Sequence, residues 1–529
     1  MHRSLAVGTH GMVASSHPLA SEAGIHVMQQ GGNAIDAAIA TNAVLAVTQP
    51  HLCGIGGDLF YLIYEATTGI VHHYNGSGRS AYMATGDAVR AQGHATMPAR
   101  GGIPVNVPGC IDAWEAALER FGTMPLPELM AAGIDYADDG FPISHGLVNA
   151  LRNGQTTYAD LPAWGRNFLP DGVVPSPGQR YRQQTLARTM RQIAHGGRET
   201  YYRGDVANRL VAGLRHQGSL LNTRDFADHT GDWVDPMSST YRGHTVYETA
   251  PNSQGIATLL ALNILDGIEL GRMPWGGADY LHWMIEAKQL AFADRNRYLT
   301  DPAFSPFPQQ LLDTSYADQR RQLIDPHKAG SPPAGKVGGG QGDTTYFAVA
   351  DGRGNLVSCI QSNYMGFGSG VVVDGIAFQN RGAYFSLDAN HVNRLEPHKR
   401  TAHTLMAAMV FKKTRPFLVL GSMGGDGQPQ THMQLISNIL DFGMNVQEAI
   451  EAPRWMSGKA SGAAGPELLH VEDRITEEAR AGLAQRGHHL AIEPAWTALM
   501  GHAQAIQIGN DGELLGGADP RGDGAAIGF

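Results

Sequence analysis

The spacing of apolar and polar positions changes several times along the chain, and each change predicts an element. From Ser21 to Val47 the pattern reads as two helices, with Gly31-Gly32 ending the first and Asn33, followed three residues on by Asp36, capping the second. The second helix begins Ala-Ile-Asp-Ala-Ala-Ile-Ala and is small on nearly every side, which predicts close packing beneath a sheet. His51 to Asp58 then forms a tight turn feeding a core strand from Leu59 to Tyr64. Residues 109–325 are mostly helical by period, with one helical stretch from Asp279 to Leu299 and a turn cluster at Pro251-Asn252-Ser253. That middle region is expected to be a cap or elaboration. Residues 327–343 are the most Gly/Pro-rich of the chain and are expected to be a flexible linker.

After the linker the period switches to two. Thr344 to Ala350 alternates as a strand, Asp351-Gly-Arg-Gly-Asn355 is a turn signal, and Leu356 to Ser362 is the return strand. A turn centred on Arg353 makes paired residue numbers sum to about 706, which sets Ser362 opposite Thr344 with Cβ atoms ~4.5–5.5 Å apart. Further on, strand-like Phe417 to Leu420 leads into Gly421-Ser-Met-Gly-Gly-Asp426 and a helical run.

Composition narrows the class of function. The chain has 529 residues, 43% hydrophobic and 17% charged, enough for two or three ordinary domains or one large enzyme core. A formal charge of −10 argues against a nucleic-acid footprint and supplies no polybasic membrane patch, so a small-molecule substrate is expected. The three cysteines, Cys53, Cys110 and Cys359, are scattered and read as buried thiols. The N-terminal residues lack the apolar core of a secretory signal and no stretch reaches the length of a membrane span, which predicts a cytoplasmic enzyme. Gly54-Ile-Gly56-Gly57 is not a dinucleotide fingerprint, and Gly338-Gly-Gly-Gln-Gly-Asp343 lacks the Gly-Lys-Ser/Thr of a phosphate loop. His72-His73 and His488-His489 are adjacent pairs without metal-ligand spacing, so neither a cofactor nor a metal is expected. Arg521-Gly-Asp523 reads as a surface turn.

A threonine that opens a strand after a glycine linker is placed to become a new N-terminus. Attack of its hydroxyl on the Asp343 carbonyl, an N-to-O acyl shift and hydrolysis would release Thr344 with a free α-amine. The unperturbed pKa of such an amine, ~7.7–8.0, lets it serve as the general base for the neighbouring hydroxyl. Ser362 could hold the Thr344 hydroxyl, and the amides of the Gly421–Asp426 loop could form an oxyanion hole.

The sequence resembles the gamma-glutamyltransferase (gamma-glutamyltranspeptidase) family over nearly its whole length. The matching segments are Ala20-Ser-Glu-Ala-Gly24, Gly31-Gly-Asn-Ala-Ile-Asp-Ala37, Gly54-Ile-Gly-Gly-Asp58, Val107-Pro-Gly109, Phe121-Gly-Thr-Met-Pro125, Ala293-Asp-Arg295, Gly342-Asp-Thr-Thr345 and Ala518-Asp-Pro-Arg521. The resemblance implies an α/β (α+β) four-layer αββα sandwich of the N-terminal nucleophile hydrolases, with a mostly helical elaboration in the large chain. It further implies cleavage between Asp343 and Thr344 into a heterodimer of residues 1–343 and 344–529. Thr344 then matches the family nucleophile, Ser362 its supporting hydroxyl, and Gly424 and Gly425 the oxyanion glycines.

The donor pocket departs from the glutathione-cleaving members. Their arginine position falls near Ser77, two residues from Arg79; their paired serines correspond to His403-Thr404; their acidic position corresponds to Tyr384, and an asparagine to Tyr364. Arg79 and Arg381 are the candidates to bind a substrate carboxylate. The implied activity is hydrolysis or transfer of γ-glutamyl amides such as glutathione. The alternative is an amidase or acylase for another acyl group, oxamate among them, as in a lidless branch of the family.

Overall fold

A computed structural model describes residues 3–330, 342–458 and 467–529, so most of the expected linker, residues 331–341, lies outside the described residues. In chain order the elements used below are β1 (Ala6–Gly8), β2 (Gly11–Ser15), α1 (Pro18–Gln29), α2 (Ala34–Thr48), β3 (Asp58–Glu65), β4 (Ile70–Gly76), β5 (Asp232–Val234), β6 (Met237–Tyr241) and β7 (His244–Glu248). They continue with α3 (Gly255–Asp266), α4 (Ala278–Tyr298), β8 (Asp343–Asp351), β9 (Leu356–Tyr364), β10 (Ala408–Lys412), β11 (Arg415–Ser422) and α5 (Gln428–Leu440). The last are α6 (Glu477–Gln485), β12 (Ala503–Ile508), β13 (Leu514–Ala518) and β14 (Ala525–Gly528).

Two seven-stranded sheets face each other. One runs β14-β2-β8-β9-β3-β4-β5 and the other β1-β13-β12-β11-β10-β7-β6. Strand alternation assigns every core layer. On β3, Leu59, Tyr61 and Ile63 face α1 and α2, while Phe60, Leu62 and Tyr64 enter the space between the sheets. On β8, Phe347 and Val349 turn to the helices, and Tyr346, Ala348 and Ala350 turn inward. Across the gap, Met409, Phe411 and Val419 complete the middle layer, whereas Val410, Leu418 and Leu420 pack outward with α3 and α5. Strands buried on both faces read as continuous apolar runs, and the four layers are helix, sheet, sheet, helix.

The expectations for 21–47 hold in detail. Asn33 and Asp36 form a capping box on α2, Gly31 has φ +100°, and all of α2 is buried. Asp36 also accepts from the Thr123 and Met124 amides, tying this helix start to a distant loop. The three cysteines are buried and free.

Two expectations are corrected. The middle region is not only a helical cap: β5, β6 and β7 extend both sheets, and α3 forms the outer layer of the second. Their short alternating runs sit between longer helices, so a helical period dominates the window. Arg521 is not on a surface turn. Its guanidinium is fully buried between Glu472 and Asp519, beside the Arg454–Asp519 pair. Both sheets take strands from either side of the Asp343–Thr344 bond, so that bond is not a boundary between folding units. Among the described residues no helix is long and apolar enough to cross a membrane.

Candidate active site

The site is built on the β8–β9 hairpin. Pairing follows the expected register from Thr345↔Gln361 to Ala350↔Leu356 and then slips, so that Asp343 pairs with Tyr364. This bulge falls on Thr344, at the start of an interior strand, where it breaks the regular alternation of side chains. Thr344 is fully buried. Its hydroxyl donates to Ser362 Oγ at 3.2 Å, Ser362 donates to the Asp343 carbonyl oxygen at 2.7 Å, and the Tyr364 amide donates to Ser362 Oγ at 2.7 Å. The attacking hydroxyl, a relay hydroxyl and the carbonyl next to the threonine are thus one hydrogen-bonded line. Burial pushes the Asp343 carboxyl up to about 6, opposed by the Gly366 amide.

Tyr364 has φ +79°, a conformation that strains a non-glycine residue by about 1–3 kcal/mol. Its ring lies over Arg381, with the guanidinium carbon 4.1 Å from the ring centre, and meets Tyr384 edge-on at 5.9 Å. Arg381 is buried and donates from Nη1 to Thr404 Oγ1 at 2.8 Å, yet its Nε and Nη2 have no partner among the described residues. Burial pushes this guanidinium down to about 10, with the Tyr364, Asp58 and Tyr384 groups opposing. A buried cation with two unpaired donor nitrogens is costly until an anion meets it.

The Gly424–Gly425 loop is reached by two routes. Gly424 has φ +128° and Gly425 φ +54°, and neither amide has an acceptor among the described residues. A Cβ at Gly342 would sit 3.3 Å from Gly425 Cα, so the backbone before Asp343 runs against this loop. Gln254 Nε2 donates to both Thr404 O and Gly425 O at 2.8 and 2.9 Å. Arg295 Nη1 in turn holds Gln254 Oε1 at 2.6 Å and Asp426 Oδ1 at 2.8 Å. Arg295 and Gln254 therefore link the loop to the Thr404–Arg381 side of the pocket.

Among the expected residues, Asp343, Thr344, Ser362, Tyr364, Arg381, Tyr384, Thr404 and Gly425 join one contact network, with Gly424 beside it. Two do not enter it in the expected way. Arg79 pairs with Asp232 at 3.3 Å and donates to Thr230 O, sharing Asp232 with Arg400. His403 is turned to Asp58 at 3.0 Å, and its Nδ1 accepts from the Leu405 amide, so Nε2 carries the proton that Asp58 receives. Asp58 also takes the Gly78 amide and Gln379 Nε2; burial pushes its carboxyl up to about 7 while Arg381 opposes. Sequence reasoning did not assign Gln254, Asp426 or Asp58 a role. Arg295 and Asp58 stood inside matching segments, but Gln254 carries no local signal.

The comparisons with known proteins agree with one another. A family model described as gamma-glutamyltranspeptidase matches residues 20–529. A glutathione hydrolase-like YwrD proenzyme of Bacillus subtilis (strain 168) is 44% identical over 529 residues, covering 99% of both chains. An oxamate amidohydrolase proenzyme of Klebsiella pneumoniae subsp. pneumoniae is 36% identical over 532 residues, again covering 99% of each. The crystal structure of cephalosporin acylase from Bacillus halodurans superposes with a TM-score of 0.94 at 40% identity, covering 100% of this chain and 97% of that one.

Proposed function

The chain belongs to the gamma-glutamyltranspeptidase family, and on that premise we propose that it is a self-cleaving N-terminal threonine amidohydrolase for acyl donors that carry a carboxylate. γ-Glutamyl amides such as glutathione are the leading donors. The observation that carries the donor class is Arg381, buried beside Thr404 and two tyrosines with two donor nitrogens unpaired.

In the precursor, Thr344 Oγ attacks the Asp343 carbonyl carbon while its proton passes to Ser362, whose own proton meets the developing oxyanion. Collapse re-forms the carbonyl, passes that proton to the nitrogen as the C–N bond breaks, and leaves an Asp343 ester on Thr344 Oγ with a free α-amine. Water then hydrolyses the ester. The fragments 1–343 and 344–529 stay together, because both sheets are interleaved from the two sides of the bond. In the mature enzyme the Thr344 amine takes the hydroxyl proton and Oγ attacks the substrate amide. The amides of Gly424 and Gly425 receive the oxyanion, and the same proton passes to the leaving amine. Water, or an acceptor amine, resolves the acyl-enzyme. Arg381 and Thr404 hold the donor carboxylate through charge-assisted hydrogen bonds.

A second reading, a donor without an α-amine such as oxamate, is favoured by one observation. Two carboxylates that border the pocket are already engaged, Asp58 with His403 and Asp426 with Arg295. Neither is free to meet an α-ammonium.

The test is the intact mass of the purified protein, followed by rates on γ-glutamyl-p-nitroanilide, glutaryl-p-nitroanilide and oxamate. Two fragments with γ-glutamyl turnover are expected. The same fragments with turnover of the deamino donors alone would establish the second reading, and a single uncut, inactive chain would overturn both.

A further inference from the structure

Far from Thr344 in the contact network, α4 carries His282 and Glu286 one helical turn apart, on one face. His488, three residues beyond α6, closes against them: its Nε2 is 2.9 Å from His282 Nδ1 and 4.0 Å from Glu286 Oε1. The three residues are 0%, 3% and 8% exposed. Among the described residues they are the one group of three or more His, Cys, Asp or Glu whose ligand atoms all lie within 4.8 Å of one another.

Their hydrogen bonds fit an ion better than they fit each other. His282 Nε2 faces the Asp325 carbonyl oxygen at 2.8 Å and must donate to it, so Nδ1 turns its lone pair to the centre, where it accepts from His488 Nε2 when no ion is bound. This is how a metal-binding histidine is oriented by a backbone carbonyl. Glu286 Oε2 accepts the Gly330 amide at 2.9 Å, which leaves Oε1 pointing inward, buried and without a hydrogen-bond partner. A buried carboxylate oxygen left unpaired beside two imidazoles is costly. A cation between them would remove that cost.

We propose that His282 Nδ1, His488 Nε2 and Glu286 Oε1 bind one divalent transition-metal ion of the zinc type, with water as the remaining ligand. Bonds of about 2.0–2.1 Å in a tetrahedron place ligand atoms roughly 3.3 Å apart. The 2.9 Å contact must open slightly and the 4.0 Å contact close, changes within reach of side-chain rotation. Two nitrogens and one oxygen suit zinc over magnesium or calcium, which take oxygen ligands. Two ligands come from α4, one of them the carbonyl-anchored His282 ring, and the third from the segment after α6, so the ion would tie that segment to α4 and keep one position for water. His282 and Glu286 precede the Asp343–Thr344 bond and His488 follows it, so after the cleavage proposed above the ion would join the two fragments. The site itself does not depend on that cleavage.

The test uses untagged full-length protein, stripped with a chelator and titrated with Zn²⁺ by calorimetry, with Co²⁺ absorption as a second probe of tetrahedral geometry. Expected is one equivalent of Zn²⁺ and a rise in Tm on its addition. Glu286→Gln and His488→Gln should each weaken binding at least 100-fold while far-UV circular dichroism and amidase rate stay at the wild-type level. The isosteric Glu286→Gln keeps the test decisive should the histidine variant fail to fold. No binding, or a Zn²⁺ affinity unchanged in Glu286→Gln, would overturn the proposal.

Discussion

Thr344 attains its setting through a bulge, a partner hydroxyl and a strained tyrosine rather than through a histidine or carboxylate base. Because the hydroxyl line from Thr344 through Ser362 to Asp343 O has a single relay atom, Ser362→Ala should slow self-cleavage by about 100-fold or more. Gel densitometry of the uncut chain over time reads this directly. Arg381 is the second decisive residue. Lysine cannot reproduce its fork toward Thr404 and a carboxylate, so Arg381→Lys should raise KM for γ-glutamyl and glutaryl donors at least tenfold with a smaller change in kcat. An equal rise in KM for a donor lacking the carboxylate would remove Arg381 from carboxylate recognition. That Thr344 and Ser362 meet across the hairpin, and that Gly424 and Gly425 share one turn, was legible in the sequence. The free N–H groups of Arg381 and the diversion of Arg79 to Asp232 were not, since an arginine's partner is chosen by what lies near it in space.

At the scale of elements, the glycine loop is supported from outside itself. Gln254 at the start of α3 and Arg295 near the end of α4 brace it, and both come from the region whose helical period suggested a cap. The start of α2, which meets β8 at its Asp351 end and so a strand length from Thr344, is heavily cross-linked. Asp36 accepts the Asn33, Thr123 and Met124 amides and the Thr123 hydroxyl. Asp36→Ala removes the capping box and leaves buried donors unpaired, so a loss of about 3 kcal/mol is expected from the urea unfolding midpoint. A loss under about 1 kcal/mol would mean that water replaces the carboxylate. The capping box was legible from Asn33 and Asp36 because a cap is local; the reach to Thr123 was not.

For the whole molecule, pH reports what the interior holds neutral. Burial is the leading cause that lowers His17 to about 4 and His51, His73 and His229 to about 3. Each folded value lies below 6.5, so the unfolded chain binds these protons first and stability falls as pH drops from about 6.5 toward 4. Asp58, raised to about 7, and Asp343, raised to about 6, act in the opposite sense over that window. Among these six groups the histidines exceed the carboxyls by two, and two protons correspond to about 3 kcal/mol per pH unit. Asp519, lowered to about 2 by Arg454 and Arg521 against its burial, adds a further loss below about pH 4. The Tm of the uncleaved Thr344→Ala variant should therefore fall steadily from pH 7 to pH 4. A flat profile would show that these histidines take up protons within the fold.

Sequence by itself determined what is local or periodic: the end of α1 and the cap of α2, the β8–β9 hairpin and its register, the glycine loop after β11, and the threonine poised behind a glycine-rich stretch. These depend on backbone preferences and on spacing along the chain, which a sequence displays. Tertiary structure alone decided which charges meet. It buried Arg521, sent His403 to Asp58, left Arg381 with open donors, added β5 to β7 to the sheets, and brought His488 to His282 across 206 positions. Such contacts arise from the folding of distant segments onto one core, where desolvation makes a partner's position matter more than its identity in the chain.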